Sequence, residues 1–226
     1  MRDLTIAFDL DGTLVETAPD LIRATNHVLG LIGEAPVAAA EIRPSISFGG
    51  RGMILKALEI KKARLSPAEI DHLLEHFLGH YEANIAAESH AFPGLEAALD
   101  ALSAEGARLV VCTNKREAPS RLLLETLGLA HRFAAIAGRD TFPVYKPHPD
   151  HLTGVVRLAG GDPHFAVMVG DSATDLQTAR AAGVPMIGVP FGYTDVPMRD
   201  LGPDVLLEHY DQLFATVAQV RPPRHT

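Results

Sequence analysis

Five short apolar runs, each breaking off at polar or glycine residues, set the tightest limit on the fold. They are Leu4–Phe8, Leu109–Cys112, Ala134–Ala137, Ala166–Val169 and Met186–Val189. Runs this short, without polar alternation, suit strands covered on both faces, as in a parallel sheet. Between them, apolar residues recur at helical spacing over Leu95–Leu102, Leu122–Leu127 and Leu152–Leu158. Alternation of this kind predicts an α/β fold. The first interval breaks the rhythm: about 95 residues separate the first two strands, where a single crossover needs roughly a dozen. That stretch reads as helix over Pro19–Leu31, Gly52–Ile60 and Pro67–Ala87. Ser66-Pro67-Ala68-Glu69 marks a helix start, with Ser66 as cap, Pro67 in the first turn and Glu69 completing a capping box. The expected organisation is an α/β core from residues 1–15 and 87–226, interrupted by an all-helical cap domain over 16–86.

Composition narrows the function classes. Apolar residues are 47% of the 226, enough for a real core, and the net charge is −8 with no long Lys or Arg run. That argues against non-specific nucleic-acid binding, which rests on phosphate neutralisation. A local cationic pocket for one small anion stays compatible with it. Cys112 is the single cysteine, so no internal disulfide forms. No apolar segment approaches the roughly 20 residues that span a bilayer, and no signal-peptide pattern is present. The expectation is a soluble, cytoplasmic protein with no membrane partner, and Arg221–Thr226 reads as a frayed end.

Four segments carry chemistry. Phe8-Asp9-Leu10-Asp11-Gly12-Thr13-Leu14 follows the first strand. Its paired carboxylates would face the crevice where open α/β sheets bind ligands. Their repulsion is relieved by a hard divalent cation, and Gly12 lets backbone approach a ligand. A plain Asp/Gly/Thr turn is the competing reading. Val169-Gly170-Asp171-Ser172-Ala173-Thr174-Asp175 follows another apolar run. Asp171 and Asp175 would share a face at a helix start, or simply serve as cap and acidic first turn. Cys112-Thr113-Asn114-Lys115 offers a hydroxyl and an amide for phosphoryl oxygens; taken alone it is a common loop pair. In Tyr145-Lys146-Pro147-His148, Lys146 is a point cation suited to phosphate, although a lone lysine is usually solvated surface.

In this order the four motifs resemble those of the haloacid dehalogenase superfamily of hydrolases, over nearly the whole chain. The matches are Asp9-x-Asp11-Gly12-Thr13, Thr113-Asn114, Lys146-Pro147 and Gly170-Asp171-Ser172-x-x-Asp175. Smaller echoes are Phe92-Pro93-Gly94, Ala181-Ala182-Gly183 and Phe191-Gly192-Tyr193. Within that superfamily the chain is most similar to the phosphoglycolate phosphatases. The resemblance implies a doubly wound parallel sheet in order 3-2-1-4-5 and hydrolysis of a small phosphorylated metabolite. It implies Asp9 as nucleophile forming an aspartyl-phosphate, and Asp11 as general acid and base. Thr113, Asn114 and Lys146, with Gly12, Thr13 and Lys115 lining the phosphate site, would stabilise the transferring group. Magnesium would be held by Asp9, the backbone carbonyl of Asp11, Asp171 and Asp175; manganese takes the same oxygen ligands. The helical insertion would act as a lid, and Arg51 in the loop Phe48-Gly49-Gly50-Arg51-Gly52 would read a substrate carboxylate, against the reading of a hinge with a solvated arginine.

Two other activities fit the same motifs: a sugar phosphomutase related to β-phosphoglucomutase, and a non-catalytic phosphate-binding protein on the same scaffold. An acid at Asp11 argues against carbon–halogen or carbon–phosphorus cleavage, as relatives with those activities normally lack it; the phosphonate-cleaving class would also need a cap lysine, for which Lys56, Lys61 and Lys62 are available. Cys112 reads as a small core residue with no identifiable paired base. His72, His76 and His80, at i, i+4, i+8, read as a solvated stripe beside the apolar face.

Overall fold

The computed structural model describes residues 1–223; Arg224, His225 and Thr226, part of the expected frayed tail, lie outside the described residues. The chain opens with β1 (Thr5–Phe8) and β2 (Val15–Glu16). Four helices follow: α1 (Ala18–Leu31), α2 (Ala39–Ile42), α3 (Gly49–Lys61) and α4 (Pro67–Ala83). After β3 (His90–Ala91) come α5 (Leu95–Ala104), β4 (Arg108–Cys112), α6 (Glu117–Thr126), β5 (Ala135–Ala137) and α7 (Pro149–Leu158). The chain continues through β6 (Ala166–Gly170), α8 (Ala173–Ala182), β7 (Met186–Gly188), α9 (Met198–Leu201), β8 (Val205–Leu206) and α10 (Leu213–Val220). It divides into two compact units, Thr17–His90 and the remainder.

The larger unit is built on a parallel sheet in spatial order β5-β4-β1-β6-β7-β8. In core-strand numbering this is the expected 3-2-1-4-5, with the two-residue β8 added at the edge. β1 is central: Ile6 lies beside Leu109 of β4 and Val167 of β6. Its four residues are all buried, which is why this strand reads as a continuous apolar run. Leu152, Val155 and Val156 of α7 pack with Leu176 and Ala179 of α8 against Ala7, Val110 and Met168 of the sheet.

Cys112 is fully buried, as its position in an apolar run implies, but it has a partner that spacing does not reveal. His151 on α7 is equally buried. Its Nε2 lies 3.0 Å from the Gly138 carbonyl, and its Nδ1 lies 3.6 Å from Cys112 Sγ. Nε2–H therefore donates to the carbonyl and Nδ1 accepts from the thiol. Burial pushes the Cys112 thiol up to about 12, so the pair is a neutral hydrogen bond and no thiolate nucleophile results.

The helical unit packs α1 and α3 against α4, around Leu21, Val28, Met53, Leu58, Leu73 and Phe77. Ser66 caps α4 with the expected box: its Oγ accepts from Glu69 N, and the Glu69 carboxylate accepts from Ser66 N at 2.7 Å. Buried Asp20 closes the unit by accepting from Ser89 N at 2.9 Å and Ser89 Oγ at 2.6 Å, and it also pairs with Arg23. The segment Phe48–Gly52 differs from the expected loop. A 3₁₀ turn over Arg43–Phe48 runs directly into α3. A Cβ on Gly50 would come within 2.7 Å of Phe77, and one on Gly52 within 2.4 Å of Phe48 Cβ, so these glycines admit close packing. Arg51, in the first turn of α3, forms an ion pair with Asp71 of α4. Among the described residues no helix is long and apolar enough to cross a membrane.

Burial also lowers the His151 imidazole to about 4, with the nearby Lys146 charge adding to the effect. A base held neutral in the fold binds its proton first in the unfolded chain. Stability is therefore lost as pH falls from about 6.5 toward 4 and is unaffected by this group above that window. His151→Gln should remove this share. Between pH 7 and pH 5 the variant should lose about 2 kcal/mol less than the wild type, read from denaturant unfolding at each pH.

Candidate active site

The motif carboxylates converge because β1 and β6 are neighbours and both end at the same edge of the sheet. Asp9 N donates to the Val169 carbonyl at 2.9 Å, so the ladder carries one residue past β1 and holds the two loops together. Asp9, Asp171 and Asp175 each present an oxygen within 4.8 Å of the others. Lys146, from the loop before α7, reaches between them. Its Nζ lies 3.0 Å from Asp9 Oδ1 and 2.6 Å from Asp175 Oδ1. Lys146 is 2% exposed, Asp171 2% and Asp175 0%, so these charges are held almost without water.

Asp175 has two jobs. Its Oδ2 accepts from Ser172 N at 3.1 Å and Ser172 Oγ at 2.6 Å, the capping box of α8, while Oδ1 anchors Lys146. Asp171 accepts from Tyr193 N at 2.6 Å and from Thr13 Oγ1 at 3.3 Å. Thr13, expected at a phosphate, thus orients an acidic residue. Gly12 has φ +81°, and a Cβ there would lie 2.5 Å from Asp171 Oδ2 and 2.8 Å from the Tyr193 ring. Only glycine combines that backbone with that approach.

The electrostatics show what the cluster lacks. Burial, reinforced by Asp175, raises Asp9 to about 6 despite the opposing Lys146 charge. Burial, then Asp175 and Asp9, raise Asp171 well above the carboxylate range. For Lys146, burial favours the neutral form, but Asp175 and Asp9 outweigh it and hold the ammonium. With all three acids ionised, one ammonium would leave two negative charges in a largely buried site, and the raised proton affinity of Asp9 and Asp171 is the sign of that deficit. An oxygen-binding divalent cation fits that deficit in sign, size of charge and donor type.

The Asp11 carboxylate turns elsewhere. Lys115 Nζ binds both its oxygens, at 3.0 and 3.2 Å, and the lysine side chain is 9% exposed. Lys115, expected at the phosphate, here also holds the expected acid and base. Thr113 Oγ1 accepts from Lys115 N at 3.2 Å. Asn114 Nδ2 donates to the Lys146 carbonyl at 2.9 Å, tying the second and third motifs. Asn114 Oδ1 is buried with no hydrogen-bond partner among the described residues, an acceptor open to a ligand donor.

Two tyrosines, Tyr193 from one of the smaller echoes and Tyr210 outside every motif, brace the segment after β1. Tyr210 OH donates to the Thr13 carbonyl at 2.6 Å, and Tyr193 OH to Glu16 Oε1 at 2.7 Å. Phe191 links them to the return segment, 5.7 Å from the Tyr210 ring and 4.6 Å from Phe92. Phe191-Gly192-Tyr193 and Phe92-Pro93-Gly94 were visible in sequence as echoes; Tyr210 carried no signal.

The family model described as haloacid dehalogenase-like hydrolase matches residues 6–189. A phosphoglycolate phosphatase of Mesorhizobium japonicum is 48% identical over 95% of this chain and 94% of its own length. Another, of Agrobacterium fabrum, is 48% identical over 91% and 88%. Among solved structures, a predicted phosphoglycolate phosphatase from Haemophilus somnus 129PT superposes with a TM-score of 0.88 at 28% identity, covering 96% of this chain and 98% of that one. CbbY from Rhodobacter sphaeroides, solved with phosphate, superposes with a TM-score of 0.78 at 28% identity over 94% and 96%. With the four motifs assembled at one sheet edge and these likenesses spanning nearly all of it, the chain belongs to the haloacid dehalogenase-like hydrolase family.

Proposed function

We propose that this phosphatase hydrolyses 2-phosphoglycolate to glycolate and phosphate through an aspartyl-phosphate on Asp9, with a divalent cation bound. The observation that carries the reading is the buried Asp9–Lys146–Asp175 line beside Asp171, a cationic and acidic site whose charge is completed by a divalent ion and a phosphoryl group. The substrate follows from the names of relatives 48% identical to this chain.

Asp9 would attack phosphorus while Asp11 gives a proton to the departing glycolate oxygen. Asp11 would then take a proton from the water that cleaves the acyl phosphate, restoring Asp9 and releasing inorganic phosphate. Lys115 holds Asp11 in the resting protein; as phosphoryl oxygens arrive, its charge is shared with them and Asp11 is released to act. Lys146 and Thr113 would stabilise the equatorial oxygens, joined by Asn114 through the second hydrogen of its amide. Asp175 serves by fixing Lys146. Asp9, Asp171 and the Asp11 carbonyl, with Asp175 beside them, would hold magnesium, which supplies charge neutralisation at the phosphoryl oxygens. Arg51 is assigned the substrate carboxylate, for which its pair with Asp71 must open.

A panel of phosphoesters assayed for phosphate release should give 2-phosphoglycolate the highest kcat/KM. Asp9→Asn should lower kcat on the order of 10⁴-fold, and Arg51→Ala should raise KM for acidic esters alone. A different preferred ester would overturn the substrate and leave the chemistry standing; phosphate migration between sugar positions without release would point to a mutase. Magnesium should also raise the melting temperature of the free protein, by about 2.7 kcal/mol of stability at a hundredfold excess over Kd. Asp171→Asn should abolish that rise while leaving the metal-free protein no less stable. A melting temperature indifferent to magnesium in the wild type would count against the cation site.

A further inference from the structure

His72, His76 and His80 are evenly spaced along α4, yet the fold separates them. His80 turns toward α1, where its ring stacks on His27 with centroids 4.1 Å apart. His72 and His76 remain exposed and turn toward each other. Their Nε2 atoms are 3.2 Å apart, and their rings meet almost at right angles, 87°, with centroids 4.6 Å apart. On the far side of His72, Glu75 Oε2 lies 3.7 Å from Nδ1.

Two exposed neutral imidazoles gain little from each other, because water competes for each nitrogen. As a pair of donors they have a defined bite. A tetrahedral zinc ion, with zinc–nitrogen bonds near 2.0–2.1 Å, holds two nitrogen ligands about 3.3 Å apart. The observed separation is 3.2 Å. Both rings sit on one face of one helix, a turn apart, so the backbone presents them together without ordering a loop. Glu75, on the same helix, is placed to attract the Nδ1 proton of His72, and this tautomer leaves the Nε2 lone pair for a metal. Neutral nitrogen donors suit zinc, nickel and copper; magnesium takes oxygen. The exposed side leaves the remaining positions to water.

We propose that His72 and His76 form a bidentate site for a borderline transition-metal ion, of the zinc and nickel class. It uses a different donor set from the carboxylate cluster and has no step in phosphoester hydrolysis. The ion links successive turns of α4 and so favours the folded helical unit.

The test is calorimetric titration of the full chain with zinc chloride and with nickel chloride, in magnesium excess. The wild type should take up an equivalent that His72→Ala and His76→Ala each lose. His80→Ala should keep it, and Glu75→Gln should keep it with affinity lowered about tenfold. At metal a hundredfold above Kd, the folded-to-unfolded ratio should rise about a hundredfold in the wild type and stay unchanged in His76→Ala. Both histidine positions are on the surface, and circular dichroism of the metal-free variants should match the wild type. Uptake in His72→Ala and His76→Ala equal to the wild type, or its loss in His80→Ala instead, would overturn the proposal.

Discussion

An ammonium group with almost no water around it, Lys146 between Asp9 and Asp175, holds the site together. Burying a lysine is costly unless its charge is met at close range. Here it is met twice, by the end of β1 and by the first turn of α8. The loop that carries Lys146 also gives its carbonyl to Asn114, after β4. Four separate loops are thereby pinned to one point, at the edge where the parallel strands end.

The same contact explains why the carboxylates tolerate one another. Asp175 is shared between Lys146 and the cap of α8, so neither of its oxygens faces the crevice unpaired. Asp171 leans on a backbone donor, Tyr193 N, and on Thr13. What remains unbalanced is charge, and charge is what a divalent cation supplies. Structure and chemistry are coupled: the contacts that fix the acids also keep them short of counter-charge.

Much of this was legible in sequence because the informative features are local. Continuous apolar runs mark β1, β4, β5, β6 and β7, and Ser66 with Glu69 marks the start of α4. The motif acids follow the strands at once, so strand ends and site were read together. What was hidden depends on residues far apart in the chain. Cys112 meets His151 only because α7 crosses β4; Lys115 meets Asp11 across 104 positions. The two residues of β8 are too few for any pattern, and Arg51 shows no sign in sequence of its partner Asp71. Glycines near Phe48 suggested a loop, since glycine is poor inside helices; close packing against Phe77 overrode that propensity.

Tyr210 and Tyr193 lie beyond residue 189, where the family match ends, yet they grip the loop that follows the first strand. Synthesis runs from Asp9 towards Tyr210, so Thr13 is made 197 residues before the tyrosine that braces it. β1 also needs β4 and β6 on its two sides before it is covered. During synthesis the loop that carries Asp9 therefore waits, unbraced, until Tyr193 and Tyr210 are made, and the apolar residues of β1 wait with it. The loop is braced only once Tyr210 has been made, and the exposure of β1 to aggregation is set by that interval.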